Sequence, residues 1–100
     1  MKSGYRIEWS NRALRDLEQI LIYLEENWSE KEIVKFVGKL HKRLNLISFF
    51  PKLYPESILK KTVRRSVLTK QVVIYFSFKD EVVKILTLFD TRQNPSRLKL

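Results

Sequence analysis

Apolar and polar positions along this chain follow two rhythms, and each rhythm predicts a different element. Val72-Val73-Ile74-Tyr75-Phe76-Ser77-Phe78 is β-branched, aromatic and nearly unbroken, which predicts a well-buried strand. Val82-Val83-Lys84-Ile85-Leu86-Thr87-Leu88-Phe89 predicts its neighbour, and the short charged link Lys79-Asp80-Glu81 predicts a hairpin between them. Thr62-Val63-Arg64-Arg65-Ser66-Val67-Leu68, joined through Thr69-Lys70-Gln71, completes an antiparallel meander. At the other end of the chain, Tyr5-Arg6-Ile7-Glu8-Trp9 alternates in the period of a half-buried strand.

Between these strands the period lengthens. Ser10 is a good N-cap, with Trp9 and Leu14 at the spacing of a hydrophobic staple. Ala13, Leu14, Leu17, Ile20, Leu21, Leu24 and Trp28 then recur at steps of three and four, one apolar helix stripe running to about Asn27. Ser29-Glu30-Lys31-Glu32 has the sequence of a capping box, again with a staple pair, Trp28 and Ile33. The second helix carries Ile33, Phe36, Val37, Leu40, Leu44 and Ile47 on one face and Lys35, Lys39, Lys42 and Arg43 on the other. The short turn between the helices predicts an antiparallel helical hairpin. Pro51 ends the second helix near Phe49-Phe50, and residues 51–61 read as a loop.

Strand, helix, helix and three strands make an α+β domain, with the helices on one face of a mostly antiparallel sheet. The pattern leaves open which strand the first one joins. It also leaves open whether Arg64 or Arg65 faces the uncovered side of the sheet. One hundred residues with 44% hydrophobic content fit a single domain with a small core. Two glycines and three prolines argue against disorder, and the absence of cysteine excludes a disulfide framework and thiolate chemistry. Met1-Lys2-Ser3-Gly4-Tyr5-Arg6 leads into no apolar run of signal-peptide length, and no stretch has the roughly 20 apolar residues of a membrane span. A cytoplasmic setting is therefore the expectation.

Charge changes the picture. The net charge of +9 sits mostly in the second half. Residues 1–59 hold ten Lys and Arg against eight Asp and Glu, whereas residues 60–100 hold ten against three. Such a basic half suits a polyanion or an acidic protein partner.

Candidate chemistry is narrow. His41 is the only histidine and lies among basic helix residues, so it reads as a surface residue, and no metal cluster is visible. Glu25-Glu26 and Asp80-Glu81 read as solvated turn charges, and Gly4 and Gly38 are too isolated for a phosphate loop. No cofactor is implied. What remains is a set of cations: Lys60, Lys61, Arg64 and Arg65, then Arg92 and Arg97 after the last strand. If the strands are adjacent, Arg64 or Arg65 and Arg92 can converge near one end of the sheet. There they could grip phosphates, stabilise charge developing on a phosphate during RNA cleavage, or recognise acidic side chains. Asp90, Gln93 and Asn94 divide evenly between that role and tying down the chain end. Tyr75, in mid-strand, reads as packing.

In order along the chain, Tyr5-x-Ile7-x-Trp9-Ser10, the helix positions Ala13, Asp16-Leu17, Ile20 and Tyr23, Val63-x-Arg65, Val73-Ile74-Tyr75-Phe76, Val83-x-Ile85-Leu86-x-Leu88-Phe89-Asp90 and Arg92-Gln93-Asn94-Pro95 with Leu98 resemble toxins of the RelE/ParE superfamily. The resemblance covers nearly the whole chain. It implies a small α+β toxin fold and the toxin half of a type II toxin–antitoxin pair. Two activities occur there. RelE-like members cut messenger RNA in the ribosomal A site without metal, using basic sheet residues and commonly a Tyr or His near the C terminus. ParE-like members poison DNA gyrase. Arg65 matches the arginine of the strand that follows the loop and Arg92 lies near the arginine after the last strand, but Asp90 to Leu100 contains no Tyr and no His, which favours the ParE-like reading.

The resemblance also implies a cognate antitoxin whose acidic, initially disordered part folds over the toxin. Ile33, Val37, Leu40 and Leu44 are the expected antitoxin-binding residues, through a helix packed on the hairpin, a strand added to a sheet edge, or both. Three functions stay open: a gyrase poison; a ribosome-dependent mRNA endonuclease using Arg65 and Arg92, with Lys60, Lys61 and Arg64 holding RNA; and a non-toxic antitoxin-binding module.

Overall fold

The computed structural model describes residues 4–100; Met1–Ser3, read above for a leader, lie outside them. The elements follow in the expected order: β1 (Arg6–Trp9), α1 (Asn11–Asn27), α2 (Glu30–Phe49), β2 (Arg64–Val67), β3 (Val72–Lys79) and β4 (Val82–Asp90), with 3₁₀ turns at Pro51–Leu53 and Pro95–Arg97. The sheet order is β1-β4-β3-β2. β2, β3 and β4 form the antiparallel meander, and β1 joins its β4 edge in parallel, with Arg6 opposite Val82 and Trp9 opposite Ile85. The first strand thus pairs with the last one, which the sequence pattern left open.

Alternation along β3 separates two clusters. Val72, Ile74 and Phe76 face the helices and meet Ala13, Phe36, Leu40, Ile47, Val83, Ile85 and Leu88 in the main core. Phe76, Ile74, Ile85 and Ile47 are fully buried, each worth about 1.5–3 kcal/mol of transfer free energy. Val73 and Tyr75 face the other way, with Val63 and Phe89, and the C-terminal Leu98 and Leu100 pack over them. The sheet's second face therefore carries a small apolar cluster under the C-terminal segment. Arg12 of α1 fastens that segment by donating to the carbonyls of Arg97 (3.2 Å) and Lys99.

Two local devices seat the helices. The Ala13 N–H donates to Ser10 Oγ at 3.0 Å, and the Ser10 hydroxyl donates to the Leu86 carbonyl at 2.8 Å, so one residue caps α1 and ties it to β4. At α2, Ser29 holds the N-cap position with extended backbone, but its side chain makes no cap bond. The expected capping box is therefore incomplete, and only the Ser29 carbonyl is used, accepting from Glu32 and Ile33. At the other end of α2, Tyr5 N–H donates to the Ser48 carbonyl (2.8 Å) and the Ser48 hydroxyl donates to the Tyr5 carbonyl (2.6 Å). A β-carbon at Gly4 would collide with the Ser48 hydroxyl, so any larger residue there has to push that hydroxyl off the Tyr5 carbonyl.

β4 outlasts β1 and so has an uncovered edge. A bulge opposite Tyr75–Phe76 inserts Leu86 between the paired residues Ile85 and Thr87. Past it, Asp16 of α1 accepts from the Thr87 hydroxyl (2.5 Å) and the Leu88 N–H (3.1 Å). The Asp16 side chain of α1 thus satisfies a backbone N–H that a neighbouring strand would otherwise pair with.

Candidate functional site

The polar signature after β4 is organised by Asp90. Its carboxylate accepts from the Arg92 N–H at 2.9 Å, and its carbonyl accepts from the Gln93 N–H at 3.0 Å, which is the geometry of an Asx-stabilised turn. The Arg92 guanidinium returns on the same carboxylate as a fork, Nε to Oδ1 at 3.0 Å and Nη2 to Oδ2 at 2.7 Å. Its remaining arm, Nη1, donates to the Tyr23 hydroxyl at 3.1 Å, and its Cζ lies 4.6 Å from the Tyr23 ring centroid. The bonds from Arg92 hold the Asp90 pKa below its ordinary value against the opposing effect of partial burial. Asp90, and secondarily Tyr23, raise the Arg92 pKa in turn.

This cluster stands at a cleft of about 470 Å³ between the helical hairpin and the sheet. Ile20, Phe36 and Leu88 give it an apolar lining, and Tyr23, Trp28 and Lys39 are also on its wall. Trp28 is half exposed there.

The other cations are distributed differently from the expected cluster. Arg65 pairs with Tyr75, on the sheet face turned away from the helices. Its Nε is buried without a hydrogen-bond partner among the described residues. Arg64 pairs with Phe76 and points to the helix side, with its guanidinium 5.4 Å from the Phe78 ring centroid. It donates to the carbonyls of Tyr54 (2.6 Å) and Lys52 (3.3 Å), holding the chain that leads into β2. Val72, not Phe76, lies opposite Asp90, so Arg64 sits about 13 Å along β3 from the Asp90–Arg92 end. The expected convergence of Arg64 or Arg65 with Arg92 is therefore not formed. Arg65 is on the opposite face, Arg64 is at the wrong end, and β3 separates β2 from β4. Lys60, Lys61 and Arg97 are exposed on loops.

The expected antitoxin-binding stripe is turned largely toward the sheet. Leu40 is 4% exposed in the core, Val37 and Leu44 pack against that core, and Ile33 is half-buried. The strongest apolar periodicity of α2 is used on its own sheet. Val34, Leu46 and Phe49 are the apolar side chains that α2 turns outward. Arg43, expected on the solvent face, instead donates to Ser66 Oγ and the Val67 carbonyl, both at 2.7 Å. His41 is exposed, and among the described residues no group of three His, Cys, Asp or Glu side chains could hold a metal ion. Sequence reasoning gave no role to Tyr23 or Arg12. The available signal for Tyr23 was a hydroxyl-bearing ring at the border of an apolar stripe.

The architecture is that of the small α+β toxins. It superposes on a protein of the chromosomal ParDE toxin–antitoxin system from P. aeruginosa with a TM-score of 0.73 at 16% identity, covering 87% of this chain and 96% of that one. A chain of the E. coli DinJ–YafQ toxin–antitoxin complex matches with a TM-score of 0.59 at 14% identity, covering 89% and 94%. A conserved hypothetical protein from Helicobacter pylori matches similarly, with a TM-score of 0.58 at 13% identity, covering 89% and 97%. No curated protein matches the sequence significantly. The model of the family described as ParE toxin of type II toxin–antitoxin system, parDE, matches residues 7–95, and the chain belongs to that family of RelE/ParE-superfamily toxins.

Proposed function

We propose that this toxin arrests bacterial growth in the cytoplasm by poisoning DNA gyrase, and that a cognate antitoxin holds it inactive. The observation that carries the reading is the separation of Arg65 from Arg92. Metal-free RNA cleavage needs a proton-transfer group and cationic stabilisation around one phosphate. Here the two arginines serve opposite sides of the sheet, and Asp90 already fills the Arg92 fork. These features support a toxin that acts by binding a protein target.

The contact of Tyr23 with Arg92 favours the second reading, a ribosome-dependent mRNA endonuclease. It puts a phenol against a guanidinium at the mouth of a cleft, a pair able to serve a phosphate once Asp90 is displaced. In that reading Lys60 and Lys61 hold RNA, while Arg64 has to leave two backbone carbonyls to join them.

An antitoxin partner fits the net charge of +9 and the toxin–antitoxin assemblies in which similar folds occur. The antitoxin contributes an acidic segment that orders on binding.

The test is expression without antitoxin, with supercoiling and translated messages followed in the same cultures. Lost supercoiling and DNA breaks with intact messages are expected. Codon-positioned message cleavage with normal supercoiling would replace gyrase by the ribosome. Unaffected growth would leave only a non-toxic antitoxin-binding module.

A further inference from the structure

Neither target reading gives a role to the apolar interior of the cleft between the helical hairpin and the sheet. Burial sorts its lining into two zones. Phe36, Val72 and Leu88 are buried, and Ile20 and Leu24 are half-buried, so the inner wall is aliphatic and aromatic. Lys35, Lys39, Gln71, Arg92 and Gln93 are exposed and form the rim, where the Trp28 indole stands half exposed. The volume of about 470 Å³ lies within the range of small-molecule pockets, roughly 300–1,000 Å³.

Four cations and three carboxylates line the cleft, but they are not equally free. Arg92 takes Asp90, and Asp16 is held by Thr87 and Leu88. Arg12 is spent on the carbonyls of Arg97 and Lys99. Lys35 and Lys39 remain, one helical turn apart on α2, and neither is in an ion pair among the described residues. Glu32 is the remaining carboxylate, so the rim keeps a surplus of positive charge beside an apolar interior. That combination fits an amphiphile, with a hydrocarbon body inside and one anionic group at the lysines. A nucleotide fits less well, because Ile20, Leu24, Phe36 and Leu88 offer no side-chain donor or acceptor to the polar edge of a base.

We propose that this cleft binds a small amphiphilic anion with an aromatic body. The body lies against Phe36 and Leu88 with the Trp28 indole over it, and its carboxylate, sulfonate or phosphate meets Lys35 and Lys39. An aromatic body is selected over a flexible chain because Phe36 and Trp28 present rings, which take stacked or edge-on partners. The site is independent of gyrase or ribosome as the target, so it stands or falls apart from either.

The experiment titrates the isotope-labelled chain with anilinonaphthalene sulfonate, following probe fluorescence and residue-resolved amide shifts. The same titration is run on Lys35→Glu/Lys39→Glu and on the control Lys79→Glu/Lys84→Glu, whose exposed lysines lie on β3 and β4 outside the cleft. Both pairs change the net charge equally. Uncharged phenylnaphthylamine and adenosine monophosphate are the comparison probes. Expected are saturable binding at one site, amide shifts at Leu24, Trp28, Phe36 and Leu88, and at least tenfold weaker binding in Lys35→Glu/Lys39→Glu. The control should change less than twofold, and the uncharged probe should bind at least fivefold more weakly. Equal weakening in both charge-reversed variants would overturn the proposal and leave only general charge attraction. Equal affinity for the uncharged probe would overturn the anionic group, and adenosine monophosphate binding as tightly as the sulfonate would overturn the apolar body. Scattered amide shifts, or no saturable binding, would remove the site altogether. A dimeric mass before any probe is added, with the cleft amides already slow to exchange, would assign the cleft to a second copy of the chain and also overturn it. Amide spectra of each free variant establish that it is folded.

Discussion

Arg92 lies against Tyr23, its guanidinium carbon 4.6 Å from the ring centroid and one arm 3.1 Å from the hydroxyl, so a residue beyond the last strand is anchored on the first helix. Tyr23→Phe keeps the ring under the cation and removes only the acceptor. At this partly exposed site the expected loss of stability is below about 1 kcal/mol, measured by urea unfolding. If the hydroxyl takes part in RNA cleavage, the same variant loses on the order of 10²–10⁴ in message cleavage at unchanged stability. Growth inhibition that survives Tyr23→Phe in full supports the binding reading.

The ion pair next to that contact sets a pH dependence. The Asp90 pKa in the folded protein lies below its ordinary value, chiefly because Arg92 hydrogen-bonds the carboxylate. A carboxylate with a depressed folded pKa stabilises the fold fully above its unfolded pKa, and the contribution is lost as pH falls through the folded pKa. Unfolding free energy should therefore decline on acidification below the ordinary carboxylate range, and Asp90→Asn should flatten that part of the profile. Parallel acid limbs in the two proteins would mean that Arg92 does not discriminate the charged form.

Asp16 is the carboxylate that ties α1 to β4. It accepts from the Thr87 hydroxyl and the Leu88 N–H at the edge that β1 leaves uncovered. Asp16→Ala deprives a buried hydroxyl and a strand N–H of their partner. Hydrogen bonds to a charged group contribute about 1.5–3 kcal/mol, and a loss of that size is expected in chemical denaturation. Faster amide exchange should appear first at Leu88.

The order of elements was legible because each type leaves its own mark: alternation in Tyr5–Trp9, an almost unbroken β-branched and aromatic run in Val72–Phe78, and steps of three to four in Ala13–Leu24. Ser10 was legible as a cap because its spacing to Ala13 is local. The partner of β1 was not legible, since strand pairing across a helical hairpin depends on edges that no local pattern encodes. The cation cluster failed for the same reason. Arg64 and Arg65 are neighbours in sequence but point to opposite faces, and with β3 between β2 and β4, Arg92 is beyond their reach. The stripe Ile33, Val37, Leu40 and Leu44 was read correctly as apolar, but an apolar stripe serves its own core before a partner.

The β3–β4 turn offers a stabilising change. Asp80 and Glu81 both have positive φ, 51° and 65°. Aspartate tolerates this region, but glutamate has no compensating local bond and meets the steric penalty of about 1–2 kcal/mol. Glu81→Gly removes that penalty, offset by about 0.5–1 kcal/mol of extra backbone freedom in the unfolded chain. A net gain of about 0.5–1 kcal/mol in thermal unfolding is expected, with antitoxin affinity unchanged. Unchanged or reduced stability would mean that the Glu81 backbone is not held in the left-handed region in solution.

Arg64 separates structural from polyanion-binding roles among the sheet cations. Its guanidinium donates to the Lys52 and Tyr54 carbonyls and lies near Phe78, while Glu56 bridges to its backbone. Its work is thus to hold residues 52–56 against the sheet edge. Arg64→Ala should cost about 1–2 kcal/mol and speed trypsin cleavage at the exposed Lys60 and Lys61 several-fold. Arg64→Lys keeps the charge but loses the planar fork, so its loop should loosen nearly as much. If the residue were mainly a phosphate contact, Arg64→Lys would retain most of the toxicity that Arg64→Ala loses, and the cleavage rate at Lys60 and Lys61 would not move in either variant. Cleavage rate and toxicity measured side by side on the two variants therefore decide whether Arg64 grips a ligand or its own chain.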